Sequence, residues 1–443
     1  MDYGFLSLLP VLVVIILAFF LKKDIEALVI GSLVGAIILA GKNFGSTYVN
    51  AFYVAFCGET ISYIFLVGIV FGALMGILNA MGGIEKFSQS VTKYVKSMRA
   101  GMVVSWLLGI VLFIDDYMHA MVAGSAMKKV TDKYGISRNT LAFLTQHTAG
   151  PAVVLLPMTV WSSFYISLFL DNNLPEQLGM DGFSIYMHSL PYVLYAFVAI
   201  ILSFLVAVGV VPLTKKLKAE PAAIQTADEV ADTAADGKEA KGFYFYLPML
   251  VVVFGTIITG GDLTTGICLG IIVAIAIIAI FHVITLNELH QAILDGVCSL
   301  LPALLMLLLT FTLLEINTQL GTTDYVISIA QPLINAKLLP AIVFLVVAVL
   351  CFCTGSFWGN SALILPIVAP MAISMGCNIF VVIGAIISGA VWGSNTCIYG
   401  DCVILSATSC DVEPVEHAMS QMVYCFAGGA VALLGYLILG FIG

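Results

Sequence analysis

The chain has 443 residues, 61% of them hydrophobic and only 10% charged. Soluble globular proteins average about 45–50% apolar and about 25% charged residues. A chain with a mean hydropathy of +1.10 therefore has too little polar surface for a water-soluble fold and belongs in a lipid bilayer. The formal net charge of −9 names no partner, and the absence of a basic patch interleaved with aromatics excludes nucleic acid.

A spanning helix needs about 20 mainly apolar residues. Residues 4–21 supply the first. No positive stretch precedes this run, and Lys22 and Lys23 follow it, so it reads as a membrane helix and not as a cleaved signal peptide. Further spans are predicted at 26–41, 62–81, 184–212, 246–260, 264–284, 298–316 and 418–442. Three apolar regions are interrupted: 101–127, 139–171 and 339–410. Residues 213–242 are rich in Lys, Asp, Glu and Ala without hydrophobic period, and read as a solvated linker. Nine of the ten cysteines follow residue 260, mostly in apolar runs, and read as small buried side chains. Cys351-x-Cys353 lacks the second ligand pair of a zinc site.

The linker separates two halves, 1–212 and 243–443, that repeat. Leu9-Pro10 matches Leu247-Pro248 at an offset of 238, and the same offset pairs Asp24 with Asp262, Gly58 with Gly296, Asn79 with Asn317 and Gly83 with Gly321. Internal duplication in a membrane chain is a transporter signature. Positive charge sets the orientation. Lys22-Lys23, the stretch Lys86 to Arg99, the cluster Lys128, Lys129, Lys133 and Arg138, and the linker fall on the cytoplasmic side. Region 101–127 then leaves the cytoplasm and returns to it as a hairpin. The helix at Leu9-Pro10 runs inward, its counterpart at Leu247-Pro248 outward. The fold expected is an all-α polytopic membrane protein of two inverted repeats, each with a helical hairpin and a discontinuous helix, with its binding site near the bilayer midplane.

Four interruptions carry the candidate chemistry. The first hairpin has Asp115, Asp116 and His119 near its tip. A carboxylate at the bilayer centre costs about 2.5–3.5 kcal/mol, so the pair must face a cavity, an ion or the N-terminus of a half-helix. Gln146-His147-Thr148-Ala149-Gly150-Pro151 follows, where Gly-Pro is expected to break the helix and free carbonyls toward a ligand. His147 there is a candidate proton carrier. The second hairpin offers neutral oxygens and nitrogens instead: Thr354, Ser356, Trp358 and Asn360. The last break carries Ser394, Asn395, Thr396 and Asp401, oxygen ligands suited to Na⁺. Na⁺ is expected at Asp115, Asp116, Ser394, Asn395, Thr396 and Asp401. The repeated Asn79 and Asn317 read as structural, fixing helix ends. Glu59 and Glu315 are weaker site candidates.

Three stretches together resemble the NhaC-type Na⁺/H⁺ antiporter family of the ion-transporter superfamily. They are Asp115-Asp116-Tyr117 with Gly124, Met127 and Thr131-Asp132; Thr354-Gly355-Ser356-x-Trp358-Gly359 with Leu365-Pro366; and Gly400-Asp401 with Leu405-Ser406-Ala407-Thr408 and His417. The resemblance implies paired hairpins in inverted repeats, an elevator movement and a homodimer. It departs at two places. Gln146-His147-Thr148 stands where the family has Asp-Ser-Thr, and Trp392-Gly393-Ser394-Asn395 where it has Phe-Gly-Asp-His. Ser394-Asn395-Thr396 is similar instead to Ser-Asn-Thr motifs of Na⁺-coupled dicarboxylate carriers. The function expected is Na⁺/H⁺ antiport across a bacterial inner membrane. The alternative is Na⁺- or H⁺-coupled transport of an amino acid or small carboxylate. No cofactor is expected beyond the coupling ion. An intramembrane enzyme is disfavoured because no His-Glu-x-x-His motif or comparable ligand pair is present.

Overall fold

In hydrocarbon every backbone N–H and C=O must be satisfied within its own segment, and a chain this apolar answers with helices. A computed structural model describes the chain except residues 1–2, 22–23, 94, 113–115, 158, 220–240, 260–261, 331–334, 356 and 443. At a few helical positions, Trp358 among them, it describes the backbone alone. No strand occurs among the described residues.

The first half contains α1 (Leu9–Leu21), α2 (Asp24–Ala40), α3 (Phe44–Cys57), α4 (Glu59–Ala80), α5 (Gly83–Thr92), α6 (Met98–Val111), α7 (Asp116–Lys133), α8 (Arg138–Leu155), α9 (Val160–Asp171), α10 (Leu174–Leu178), α11 (Gly182–Ser189), α12 (Leu194–Ala207) and α13 (Lys215–Lys218). The second contains α14 (Phe243–Ile258), α15 (Leu263–Phe281), α16 (Leu286–Gln319), α17 (Thr322–Ala330), α18 (Leu339–Thr354), α19 (Phe357–Ser374), α20 (Ile379–Thr396), α21 (Asp401–Ser409) and α22 (Pro414–Ile442). Six helices among the described residues are long and apolar enough to span a bilayer alone. Two bent pairs raise this to eight: α8 with α9 at 44°, and residues 182–192 with α12 at 53°.

Helix boundaries recur between the halves. After the hairpins the offset becomes 241: α8 and α20 start at 138 and 379 and end at 155 and 396. The counterparts α4 and α16 pack against each other and run antiparallel, with Gly68 on Leu304, Gly72 on Gly296 and Gly76 on Ala292. A β-carbon on Gly296 would stand 2.1 Å from the Gly72 carbonyl oxygen, and one on Gly76 2.0 Å from that of Ala292. These glycines are required by backbone-to-backbone approach.

The helix break expected at Gly150-Pro151 lies elsewhere. Helix α8 runs through Pro151 to Leu155, with every residue from Asn139 to Val154 buried. Pro151 removes one hydrogen bond, which a helix held on all sides tolerates. The chain leaves the helix at Leu156, in extended geometry (φ −102°, ψ 134°). Leu156 precedes Pro157, and proline disfavours the helical conformation of the residue before it. Thr159 then opens α9 with a capping box to Ser162. The break in the second half falls where expected: α20 ends at Thr396, and α21 starts at Asp401.

The basic segments meet on one face. Lys129 pairs with Glu85, Lys128 with Asp411 at 2.8 Å, and Arg138 with Asp132 at 2.7 Å and Asp411 at 3.2 Å. The hydrogen bond from Lys129 holds the Glu85 carboxyl below the usual carboxylate range. Ser137 donates to the Leu217 carbonyl, which brings α13 to the same face. A crevice of about 480 Å³ opens there between α4, α7 and α16, lined by Gly76, Asn79, Ser125, Lys128, Asp295 and Ser299 among others. Asn79 and Asn317 differ in setting. Asn79 borders the crevice, whereas Asn317 is buried and reaches the Cys353 carbonyl at 3.5 Å. Asn317 thus holds the second hairpin and does not cap its own helix. With the exposed Cys57, Cys268 and Cys298 replaced by serine, Ser125→Cys is expected to react with an impermeant maleimide added from the basic face, and Asn317→Cys to stay unlabelled. Labelling of both from that face would contradict this packing.

Candidate functional site

Two half-helices start at the same depth and run side by side. Asp116 is the first residue of α7, Asp401 the first of α21, and both are fully buried. Each carboxylate is bound by the neighbour of the other. Tyr117 Oη donates to Asp401 Oδ2 at 2.8 Å, and Cys402 Sγ donates to Asp116 Oδ2 at 3.0 Å. The Cys402 amide also donates to Asp401 Oδ1 at 2.8 Å. The two carboxylates lie within electrostatic range of each other. Two helix N-termini offset part of the cost of burying this charge, but two like charges in low dielectric call for a cation between them or a proton on one. One turn along α7, His119 Nε2 meets the Thr148 hydroxyl at 3.1 Å. Gly109 makes room for that contact, since a β-carbon there would lie 2.2 Å from Thr148 Oγ1.

The related position in the other half is chemically opposite. Residues 241 beyond Asp116 and 241 before Cys402 are Phe357 and Trp161. These two rings stack at 4.2 Å and 14°. One half therefore presents an acidic cross-link and the other an aromatic one at the start of equivalent half-helices.

A second polar centre surrounds Asn395, in the last turn of α20. Gln146 Nε2 donates to Asn395 Oδ1 at 2.8 Å, and Asn395 Nδ2 donates to Tyr195 Oη at 3.3 Å. The Asn395 carbonyl accepts from Gln421 Nε2 at 2.9 Å and from Cys425 Sγ at 3.4 Å. Ser394 Oγ, Gln146 Oε1 and Gln421 Oε1 are buried without a partner among the described residues. Thr396 is satisfied within its own helix, donating to the Trp392 carbonyl at 2.9 Å. His147 faces away from the carboxylates, with Nε2 3.7 Å from Cys425 Sγ. At the second hairpin, Gly355 takes a left-handed turn (φ +70°), and Asn360 Nδ2 donates to Thr354 Oγ1 at 2.6 Å. Tyr399 Oη binds the Cys353 carbonyl at 2.9 Å, which ties that hairpin to the α20–α21 break.

Of the residues predicted from sequence, Asp116 and Asp401 come together, with His119 and Thr148 adjoining. Gln146, Ser394 and Asn395 form the neutral centre. Thr354 and Asn360 form a third group. Asp115 and Ser356 lie outside the described residues, as does the Trp358 side chain. Glu315 is a half-buried acceptor for Gln319 at 2.8 Å. Tyr117, Cys402, Tyr195, Gln421 and Cys425 were not anticipated. The first two were detectable only as immediate neighbours of the acidic residues.

The crevice stops short of the carboxylates. Ser125 is nine residues along α7 from Asp116, roughly 13 Å at 1.5 Å per residue. Between them Met121, Leu300, Leu304 and Leu405 surround a void of about 10 Å³ beside Tyr117. An apolar stopper thus separates the carboxylate pair from the basic face. Among the described residues no group of three or more His, Cys, Asp or Glu side chains is arranged to hold a metal ion.

The model of the "Na+/H+ antiporter family" matches residues 153–441, more than half of the chain. A Haemophilus influenzae protein named only "Uncharacterized protein" is 25% identical over 474 aligned positions, which cover 98% of this chain and 91% of that one. A second protein of that organism, named "Uncharacterized Na(+)/H(+) antiporter", is 24% identical over 130 residues, covering 29% of this chain and 28% of its own length.

Proposed function

The chain belongs to the Na⁺/H⁺ antiporter family, and from that membership we propose that it is an NhaC-like secondary transporter exchanging Na⁺ for H⁺ by alternating access across a bacterial inner membrane. The observation that carries this reading is the reciprocal pair in which Tyr117 holds Asp401 and Cys402 holds Asp116. A buried carboxylate pair can be neutralised by one Na⁺ or by one proton, but is poorly served by neither. That exclusivity is what exchange requires. Asp116 and Asp401 would give Na⁺ its charged oxygens, with Asp115 adjacent in sequence and the carbonyls of the α20–α21 break completing a hard-oxygen shell.

Residues 1–212 and 243–443 would act as inverted repeats, supported by the antiparallel packing of α4 on α16 and by the recurring helix boundaries. The basic face would be cytoplasmic, so the crevice would be the inner vestibule, and the linker would lie inside. The family resemblance adds a homodimer and an elevator movement to this reading. In proteoliposomes, a Na⁺ gradient should drive a dye-detected pH change with no organic solute present. A Na⁺ gradient that moves no protons would overturn the proposal.

The neutral Asn395 centre favours a second reading, Na⁺- or H⁺-coupled transport of an amino acid or small carboxylate. Ser394, Gln146 and Gln421 present unpartnered buried oxygens there. Asn395→Ala would leave Gln146 and Tyr195 without their partner and should cost about 1–3 kcal/mol of stability, read as a lowered melting temperature. On the antiport reading the variant keeps a Na⁺-dependent rise in melting temperature, because the carboxylates remain. Loss of that rise, with solute uptake that requires Na⁺, would favour the second reading.

A further inference from the structure

A polar seam runs from the basic face toward the Asn395 centre between α8 and α22, on the far side of the core from the crevice. The two helices run in the same direction there. At the surface end Asn139 Nδ2 donates to the half-buried Glu416 at 3.0 Å. At the inner end His147 Nε2 approaches Cys425 Sγ at 3.7 Å. The seam residues recur every fourth position, Asn139, Phe143 and His147 on α8 and His417, Gln421 and Cys425 on α22, and so share one face of each helix.

His417 lies between these two ends. It is fully buried, and neither ring nitrogen has a partner among the described residues. It lies within electrostatic reach of His147. Burying an imidazole with both nitrogens unsatisfied is costly, and the packing of an apolar residue would be cheaper. The titratable groups on the elements packed around it are Arg138 and His147 on α8, Glu413 and Glu416 on its own helix, Cys410 and Asp411 before it, Asp401 and Cys402 on α21, and the lysines of α13. Arg138 is engaged by Asp132 and Asp411. The neutral imidazole can therefore both accept and release a proton.

We propose that this seam is a proton path separate from the cation crevice, with His417 as its carrier; the proposal rests on the antiport reading above. A proton taken up at the Glu416 carboxylate passes to a ring nitrogen of His417, making an imidazolium and leaving the carboxylate ionised. Transfer from His417 to His147 restores the first ring and charges the second. His147 is followed by Thr148, whose hydroxyl meets His119 one turn along from Asp116, which connects the seam to the carboxylate pair.

The test uses the full-length protein in proteoliposomes and two fluxes, Na⁺-driven proton movement and Na⁺/Na⁺ exchange at equal pH. The second needs no proton. His417→Gln keeps a polar side chain but cannot carry a proton. It is expected to lower proton movement by about a hundredfold, the scale of removing an acid–base group, while Na⁺/Na⁺ exchange is unchanged. Equal loss of both fluxes in monodisperse protein, or loss of neither, overturns the path. If His417→Gln does not purify as monodisperse protein, Glu416→Gln at the surface end goes through the same two measurements: selective loss of proton movement supports the path, and equal loss of both fluxes or of neither overturns it. Parent protein that moves no protons would overturn the antiport reading, and this path with it, before any variant is measured.

Discussion

Asp116→Asn and Asp401→Asn are each expected to purify at normal yield and to lower Na⁺-driven proton movement by at least about a hundredfold, equivalent to ~2.7 kcal/mol. Asparagine keeps the shape and one acceptor oxygen, so Tyr117 and Cys402 retain a partner. The charge that makes Na⁺ and H⁺ alternatives is lost. Stability supplies an independent readout. Each buried carboxylate costs about 2.5–3.5 kcal/mol at the bilayer centre, and the two repel, so either variant should melt no lower than the parent without Na⁺. Added Na⁺ raises the melting temperature of the parent by mass action but not that of the variants. A variant with full proton movement would remove the carboxylate pair from the mechanism. A variant that melts far lower without Na⁺ would assign the carboxylates a helix-capping role.

The features legible in the sequence were those that depend on local composition. Long apolar runs became helices, and Lys86 to Arg99, Lys128 to Arg138 and the start of the linker gathered on one face, as the positive charges required. The hairpin of α6 and α7 leaves that face and returns to it. What was not legible depended on packing. Gly150-Pro151 carries two helix breakers, yet the surrounding helices hold that turn, and the break follows from Pro157 acting on Leu156. Asp116 and Asp401 are separated by most of the chain, and nothing local in either stretch says that they meet. Cys402 reads as a packing residue until its sulfur is found on Asp116. The neutral centre shows the same limit. Ser394-Asn395-Thr396 reads as three equivalent ligands, but Thr396 spends its hydroxyl on its own helix while Asn395 joins four elements.

The match of Gly58 with Gly296, which first suggested duplication, conceals two different roles, and the second yields the other large expected effect. Gly58 has extended geometry (φ −65°, ψ 141°) and separates α3 from α4. Gly296 lies inside the unbroken α16, where a β-carbon would be 2.1 Å from the Gly72 carbonyl oxygen and 2.9 Å from the Gly76 amide nitrogen and Cα. Gly296→Val must therefore separate two helix backbones, with no flexible side chain to yield. Overpacking a core typically costs about 1–3 kcal/mol, and a clash of backbone on backbone belongs above about 3 kcal/mol on that scale. The variant is expected to melt far below the parent in detergent, or to fail to fold, and Na⁺ should not restore it because the carboxylate site is remote. Gly45→Ala is the matching control: it is also helical, but its β-carbon would meet nothing within 4 Å. It should hold or gain about 0.5–1 kcal/mol from the lower entropy of the unfolded chain. If Gly296→Val melted with the parent, α4 and α16 would not pack backbone to backbone, and the antiparallel contact supporting inverted repeats would be lost. The two variants therefore test separate links, since the Asp116 and Asp401 substitutions address the exchange site, and Gly296→Val addresses the scaffold against which that site would move.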